Sequence, residues 1–354
     1  MIRQGKGGTV NAKAHNGELH AGQRGGAVKS FLLFIVGQFV LAVAAFGVGG
    51  YLGYREAMKP GPSKEAVTVL LAQGSAVSTI ADDLEHAGVI QYPELFTAVV
   101  RVRGAENDIK AGEYEIPAGA SVNEIIDQLI EGKSILHYFT AAEGLTTAQI
   151  FKIIAEDDVL TGELTATAEE GELLPETYAF TRGESRNEMV QRMAAAQDAL
   201  IDKLWDSRAT ELPYSTKEEA IILASIVEKE TGVAAERPRI ASVFVNRLKR
   251  GMRLESDPTI IYGLTQGEPL GRGLRVSELR GETPYNTYII RGLPPTPIAN
   301  PGADSIAAVL NPAETDDLFF VADGTGGHAF ATTNREHERN VAAWRRIERE
   351  RQGG

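Results

Sequence analysis

An uncharged run near the N-terminus places the strongest constraint on what this chain can fold into. It extends over 24 residues, from Phe31 to Tyr54, and contains no Asp, Glu, Lys or Arg. A helix rises about 1.5 Å per residue, so this run is long enough to cross the roughly 30 Å hydrocarbon core of a bilayer. We therefore predict a transmembrane helix over residues 30–54.

The apolar run has two other interpretations. A buried core helix is uncommon for so long an uncharged run this close to a terminus. A signal peptide cleaved at Ala42-Val43-Ala44 is the stronger rival. The apolar run continues well past that site and the segment before it is long, which favours a retained anchor.

The segment before the apolar run, residues 1–29, is rich in Gly and polar residues and is predicted to be a disordered tail. Its charges are mostly basic, with a single acid at Glu18. Basic residues flanking an apolar helix remain on the cytoplasmic side. We expect a single-pass topology with a cytoplasmic N-terminus and with the chain after about residue 55 exported.

Composition excludes several classes of function. The chain has 354 residues, a net charge of −12 and no Cys, so disulfides and thiolate chemistry are excluded. The excess of acid lies in the folded part, which argues against nucleic-acid binding. The six His are scattered without metal-ligand spacing, and no Gly-x-Ser-x-Gly motif occurs, so a metal or serine hydrolase is poorly supported.

A strand, a Gly turn and a short amphipathic helix recur three times after the linker at residues 59–64. The strands are predicted at residues 67–71, 114–116 and 138–139. In each unit two aliphatic residues lie six and ten positions after a Gly, namely Ile80 and Leu84, Ile125 and Leu129, and Ile150 and Ile154. Such spacing indicates helices. The first two units could assemble into a small module that binds extended polymers, and a plain α+β spacer is the alternative.

The stretch from residue 218 to residue 232 is predicted to be one helix. Ser215 and Glu218 have the spacing of a capping box, and Gly232 is a natural stop. Leu223, Ile226 and Val227 form an apolar stripe whose next position is 230.

Position 230 in that stripe is Glu, and this is the strongest chemical signal in the sequence. A carboxylate on an apolar face, at the negative C-terminal end of a helix, should have a raised pKa. A carboxylic acid that remains protonated near neutral pH can protonate a glycosidic oxygen. Glu228 points to another side of the same helix. The simpler alternative is that Glu230 forms an ion pair with Arg239 or Arg247 of the following helix.

The segment from residue 283 to residue 302 is rich in Pro and Gly, which fixes backbone shape without regular structure. It could wall a groove in which Tyr285, Asn286 and Tyr288 contact sugars. A rigid surface loop is the equally supported alternative. Asp323–Gly327 lies between two apolar runs and is predicted to be a β-hairpin turn, in preference to a phosphate loop.

Several ordered motifs in the chain resemble the YceG-like family of endolytic murein transglycosylases, also called MltG. The resemblance covers roughly residues 30 to 345, and only the N-terminal tail lies outside it. The motifs that carry it are Leu223–Thr231, Ala241–Leu248, Gly251–Leu254, Asp257–Thr259, Tyr262–Gly263, Tyr285–Tyr288, Gly292–Pro295, Asn300–Gly302 and Phe320–Gly324.

The resemblance implies an α+β protein with an N-terminal membrane helix, a LysM-like module at residues 65–135 and a catalytic domain at residues 136–345. It implies a bacterial inner-membrane enzyme whose catalytic domain is periplasmic. Such enzymes cleave peptidoglycan glycan strands between N-acetylmuramic acid and N-acetylglucosamine, leave a 1,6-anhydro end and terminate nascent strands. No cofactor or metal is implied, and a penicillin-binding peptidoglycan synthase is the implied partner.

The family motif that carries the catalytic acid matches Ile226–Thr231, so the resemblance leaves Glu230 and Glu228 as candidates. We assign Glu230, with Glu228 second. The predicted sugar-binding residues are Asn246, Asp257, Tyr262, Tyr285, Asn286 and Tyr288. A lysozyme-like hydrolase, with Asp257 or Glu228 as base, and a non-catalytic wall-binding scaffold remain alternatives.

Overall fold

The computed structural model describes residues 24–352, apart from a few side chains at the two ends. Most of the predicted disordered tail therefore lies outside the described residues. The first element, α1, extends from Arg24 to Ala57. Within it, Phe31–Ala57 is long and apolar enough to cross a membrane, which agrees with the predicted membrane helix by length and composition.

The chain divides into two compact units, and the smaller one is helical. It contains α1 and three short helices, α2 (Val77–His86), α3 (Pro93–Arg103) and α4 (Val122–Glu131). Its core is formed by fully buried apolar side chains, among them Leu84, Phe96, Val100, Ile125 and Leu129. The sequence analysis did not predict α3, although Pro93 at its start and a left-handed Gly104 at its end are standard helix boundaries.

The larger unit contains three two-stranded sheets and eight helices among the described residues. The sheets pair β1 (Val67–Leu71) with β2 (Gly112–Ile116), β3 (His137–Thr140) with β4 (Thr177–Phe180), and β5 (Phe319–Ala322) with β6 (His328–Ala331). The last two pairs are antiparallel. The helices are α5 (Thr147–Glu156), α6 (Arg186–Trp205), α7 (Lys217–Glu230), α8 (Arg237–Lys249), α9 (Asp257–Thr265), α10 (Val276–Leu279), α11 (Ala303–Leu310) and α12 (Asn334–Gln352).

The predicted secondary structure is confirmed at most of the places where the sequence pattern is periodic. Each of the three predicted strands is followed by its predicted helix: β1 by α2, β2 by α4 and β3 by α5. The hairpin turn at Asp323–Gly327 joins β5 to β6. The LysM-like character of the module at residues 65–135 stays a prediction.

Helix α7 is the central element of the larger unit. All eight residues from Ala220 to Val227 are buried, so the helix has no solvent face over this length. It packs against α8 and α11. Its start differs by one residue from the prediction, because Thr216 is the N-cap and forms the capping box with Glu219. Glu219 also accepts the backbone N–H of Ser215, at 2.8 Å.

Asn300 links three segments of the larger unit through hydrogen bonds of its side chain. Its side chain is fully buried. The amide nitrogen donates to the Leu145 carbonyl, the Thr147 hydroxyl and Glu170, each at 3.1 Å. The amide oxygen accepts backbone N–H groups from Gly171 and Leu173 at 3.1 and 3.0 Å. One amide thus satisfies polar groups that could not reach water.

We expect Asn300→Ala to lower the free energy of unfolding by about 2–4 kcal/mol, because it leaves several buried polar groups unpaired. Chemical denaturation of the full chain in detergent measures this. Asn340→Ala is the control, since Asn340 donates one hydrogen bond, to the Phe330 carbonyl at 3.3 Å. Equal losses in the two variants would contradict this role for Asn300.

Candidate active site

Glu230 is the last residue of α7, at the point where the helix gives way to extended backbone at Thr231. The side chain is partly buried, and Oε1 accepts a hydrogen bond from the Ser256 hydroxyl at 2.5 Å. Burial raises the pKa of Glu230 to about 7, and the Ser256 hydrogen bond opposes this rise. The carboxyl group can therefore donate a proton near neutral pH.

The charges around Glu230 act in both directions on its pKa. Asp257 raises the pKa because a second negative charge disfavours ionisation, whereas His328 and Arg247 lower it. Asp257 is exposed, and its Oδ1 accepts a hydrogen bond from the Tyr288 hydroxyl at 2.8 Å. An accessible carboxylate and a phenol thus lie beside the acid.

Ser256 is anchored by two buried threonines. Its backbone N–H donates to the Thr287 hydroxyl at 3.0 Å, and its carbonyl accepts from the Thr259 hydroxyl at 2.7 Å. The two threonine hydroxyls are 2.9 Å apart, and both side chains are fully buried. Thr287 belongs to the Pro- and Gly-rich segment, so that segment contributes to the support of the acid.

Arg247 holds the loop that precedes Ser256. It is buried and donates to the backbone carbonyls of Leu318 and Leu254 at 2.7 and 2.9 Å, and it pairs with Glu255 at 2.9 Å. Glu255 has φ of +54°, which is unfavourable for a residue with a side chain. The Arg247 bonds and the Glu255 N–H to Thr287 carbonyl bond, at 3.2 Å, hold this conformation.

His328 at the start of β6 is oriented by Glu236. The Glu236 carboxylate accepts the His328 backbone N–H at 2.9 Å and lies 2.8 Å from Nδ1 of the ring. Burial raises the pKa of Glu236, but the His328 hydrogen bonds outweigh it and the net pKa is lowered. A Cβ at Gly327 would lie 2.6 Å from the Glu236 carboxylate, so a larger residue there would require this side chain to shift.

Glu228, the second candidate acid, is committed to a buried ion pair. Its carboxylate lies 3.1 Å from the Arg237 guanidinium and accepts the backbone N–H of Gly302 at 3.0 Å. The side chain is 5 % exposed. Arg237 also pairs with Glu143 and Asp304, at 2.8 and 3.3 Å. The ion pair expected as the simpler alternative for Glu230 is thus formed by Glu228, with a different arginine.

The predicted sugar-binding residues fall into three groups. Asp257 and Tyr288 lie beside Glu230. Tyr262 and Tyr285 pack edge to face, with ring centroids 5.0 Å apart, and the Tyr262 hydroxyl donates to Glu170 at 3.3 Å. The third group is Asn246 and Asn286, whose amides donate to backbone carbonyls of neighbouring segments.

The amides of Asn246 and Asn286 are bonded to backbone groups, and their contact with sugar stays a prediction. Asn246 donates to the Thr315 and Asp317 carbonyls at 2.8 and 3.1 Å. Asn286 is fully buried and donates to the carbonyls of Glu278, Leu279 and Gly281, while its oxygen accepts the Tyr288 N–H. No polar atom of Asn286 remains available to a sugar.

Sequence reasoning missed Ser256, Thr259, Thr287 and the Glu236–His328 pair. Thr259 and Thr287 lie inside motifs that carry the family resemblance, and Ser256 directly precedes one, but a hydroxyl beside a carboxyl group leaves no periodic signal. Among the described residues no group of three His, Asp or Glu side chains is placed to hold a metal ion.

Residues 69–343 match the model of the YceG-like family. The chain belongs to this family. An endolytic murein transglycosylase of Bacillus subtilis is 32 % identical to this YceG-like chain, covering 78 % of the chain and 84 % of the relative. One from Streptococcus pneumoniae strain D39 is 29 % identical over 89 % of the chain, which spans 65 % of that relative's length. A crystal structure of a putative yceG-like protein from Listeria monocytogenes is 30 % identical, with a TM-score of 0.47, covering 78 % of this chain and 99 % of that one.

We expect Glu230→Gln to stabilise the YceG-like chain relative to the unmodified protein at pH 8 but not at pH 4. Between about 4.5 and about 7 the folded state keeps the Glu230 proton and the unfolded state loses it. Stability of the unmodified protein therefore falls as pH rises through this window. The stability difference should reach the order of 3 kcal/mol, because the window extends over about 2.5 pH units and each unit contributes about 1.4 kcal/mol.

Thermal unfolding of the full chain at pH 4 to 8 measures this difference. Glu218→Gln is the control, because Glu218 is an exposed residue of the same helix. A difference between Glu230→Gln and the unmodified protein that does not change with pH would show that Glu230 does not have a raised pKa.

Proposed function

We propose that this chain is a membrane-anchored endolytic peptidoglycan lytic transglycosylase in which Glu230 is both the acid and the base. The observation that carries the proposal is a carboxyl group with a pKa near 7, bonded to a serine and not to a cation among the described residues. The family membership supports it, and so does the similarity to endolytic murein transglycosylases of Bacillus subtilis and Streptococcus pneumoniae.

The proposed reaction begins with proton transfer from Glu230 to the oxygen that links N-acetylmuramic acid to N-acetylglucosamine. The bond from that oxygen to C1 breaks and its electron pair stays on the oxygen. The C6 hydroxyl of the same muramic sugar then bonds to C1, and the Glu230 carboxylate takes its proton. The product carries a 1,6-anhydro ring and the enzyme is restored without water, which explains why one carboxyl group suffices.

Asp257 and Tyr288 are the residues we assign to sugar contact, because both lie beside the acid and neither is buried. Tyr262 and Tyr285 are proposed to contact sugar units further along the strand. The Phe31–Ala57 helix supports membrane anchoring by its length and composition. From the basic residues before it and the family resemblance we infer a cytoplasmic N-terminus, a periplasmic catalytic part and a bacterial inner membrane. In this setting it would shorten nascent strands beside a penicillin-binding synthase, the partner that the resemblance implies.

A lysozyme-like hydrolase is the second candidate, and exposed Asp257 is the observation that favours it. A carboxylate near the acid could activate a water molecule, as in ordinary glycosidases. Glu228 is less suited to this task, since its carboxylate is buried against Arg237. The two reactions differ in product: a hydrolase leaves reducing ends, and a transglycosylase leaves anhydro ends.

We expect the full chain in detergent to convert uncrosslinked glycan strands into anhydro-ended fragments, measured by mass spectrometry. Glu230→Gln should abolish cleavage, because the amide cannot donate a proton of comparable acidity. Glu228→Gln is the matched control on the same helix and should lose stability, since it breaks a buried ion pair, while its folded fraction still cleaves.

Other results of this experiment would indicate a different function or a different catalytic residue. Reducing ends would identify a hydrolase. Cleavage lost in Glu228→Gln, but kept in Glu230→Gln, would make Glu228 the acid. Glycan that binds but is not cleaved by the unmodified protein would favour a wall-binding scaffold.

The pH dependence of cleavage gives a separate prediction. Because Glu230 must be protonated in the free enzyme, kcat/KM should fall above a midpoint near pH 7. Asp257→Asn should move the midpoint to lower pH, since it removes the negative charge that raises the Glu230 pKa. A midpoint that stays in place or rises in Asp257→Asn would contradict this account of the site.

A further inference from the structure

Ser256 occupies the N-cap position of α9, but its side chain makes no cap hydrogen bond. Serine is a preferred N-cap because its hydroxyl accepts a backbone N–H of the first turn and so stabilises the start of the helix. Here the hydroxyl donates to Oε1 of Glu230. The residue forgoes a local interaction for one with a side chain 26 positions earlier in the chain.

Ser256 itself cannot be a surface residue that contacts glycan, because it is 1 % exposed. Any effect of its hydroxyl on the reaction must therefore pass through Glu230. This distinguishes it from Asp257, the next residue in the chain, which is exposed.

The position of the Ser256 hydroxyl is determined from both sides of the residue. The backbone N–H is bonded to Thr287 and the carbonyl to Thr259. Because both threonine side chains are fully buried and bonded to each other, Ser256 has little freedom to turn away from Glu230.

We propose that Ser256 is a positioning residue that binds Oε1 of Glu230 and leaves Oε2 as the oxygen that carries the catalytic proton. The proposal rests on the proposed function, since it assigns the two oxygens of the proposed acid. The assignment follows from acceptor strength: in a protonated carboxyl group the carbonyl oxygen is the better acceptor, so the oxygen that accepts the serine proton is the carbonyl oxygen and the acidic proton lies on the other.

The serine also acts differently on the two states of the acid. A hydroxyl donor binds a carboxylate more strongly than it binds a neutral carboxylic acid. Ser256 therefore stabilises the carboxylate formed when the proton leaves for the glycosidic oxygen, and its own proton stays on Oγ. When the C6 hydroxyl gives its proton to the carboxylate, the hydrogen bond returns to its weaker form.

The test compares kcat, KM and the pH midpoint of kcat/KM for the full chain and for Ser256→Ala. Ser256→Ala should lower kcat by about tenfold to a hundredfold, because the acid is less well oriented. It should leave KM nearly unchanged and move the midpoint upward by about one pH unit, since a hydrogen bond to the charged form is lost. The other groups that act on Glu230, which are Asp257, Arg247, His328 and Tyr288, are present in every variant.

Two further variants distinguish an effect on the position of Glu230 from an effect on the stability of the fold. Ser256→Thr keeps a hydroxyl at the same place and should restore the midpoint. Ser242→Ala is the matched control, because Ser242 is another buried serine whose hydroxyl lies 2.8 Å from that of Thr315 and makes no contact with Glu230. It should change stability and leave the midpoint unmoved.

If Ser256→Ala does not fold, Thr287→Val provides the same test, since it removes the group that anchors the Ser256 N–H. Its midpoint should also move upward. An unmoved midpoint in the folded variant, with Glu230→Gln inactive, overturns the role of Ser256 and leaves the proposed function standing. Cleavage by Glu230→Gln overturns the proposed function itself.

Discussion

A carboxyl group at the end of a helix whose eight central residues are all buried is the constraint on which the rest of the site depends. Glu230 follows a stretch of α7 that has no solvent face, so its side chain emerges at the edge of the core. Burial there opposes ionisation, and the negative end of the helix does the same. The surrounding groups change the pKa of Glu230 but leave it raised: Ser256 and Arg247 lower it, whereas Asp257 raises it further.

Glu228 and Glu230 lie on one helical turn, but their side chains have different hydrogen-bond and ion-pair partners. Both side chains are largely withdrawn from water. Glu228 pairs with a guanidinium and accepts a backbone N–H. Glu230 accepts a hydrogen bond from a neutral hydroxyl, and burial raises its pKa. Two carboxyl groups close in sequence thus have different surroundings, and these support the proposal that Glu230 is the acid.

The loops around the site are held mainly by side chains that bond to backbone groups. Segments rich in Pro and Gly cannot pair their backbone in sheets, so their carbonyls and N–H groups need other partners. Asn300, Asn286 and Arg247 supply them, each bonding to several backbone positions. In the sequence Asn300 is recognisable only as part of a motif, Arg247 is an alternative ion-pair partner of Glu230, and Asn286 is a predicted sugar-binding residue.

The sequence alone determined the elements whose signals are local and periodic. The uncharged run predicted α1, the spacing of aliphatic residues predicted α2, α4 and α5, and the stripe ending at Glu230 predicted α7. It also pointed to Glu230, because an acid in an apolar stripe at a helix end is visible without knowing its neighbours. The helix start was wrong by one residue, since Thr216 and Ser215 are both acceptable caps and their difference in energy is small.

Only the tertiary structure decided which groups meet. Residues 220–227 of α7 are buried on every side, so the apolar stripe by itself does not separate Glu230 from Glu228. Their partners are distant in sequence, Ser256 for Glu230 and Arg237 with Gly302 for Glu228, and this difference supports the proposal that Glu230 is the acid. An amide such as that of Asn286 or Asn246 suits a sugar, and it suits an unpaired loop carbonyl equally well. Which of the two an Asn amide binds depends on chain segments that folding brings together, and no local sequence pattern predicts that contact.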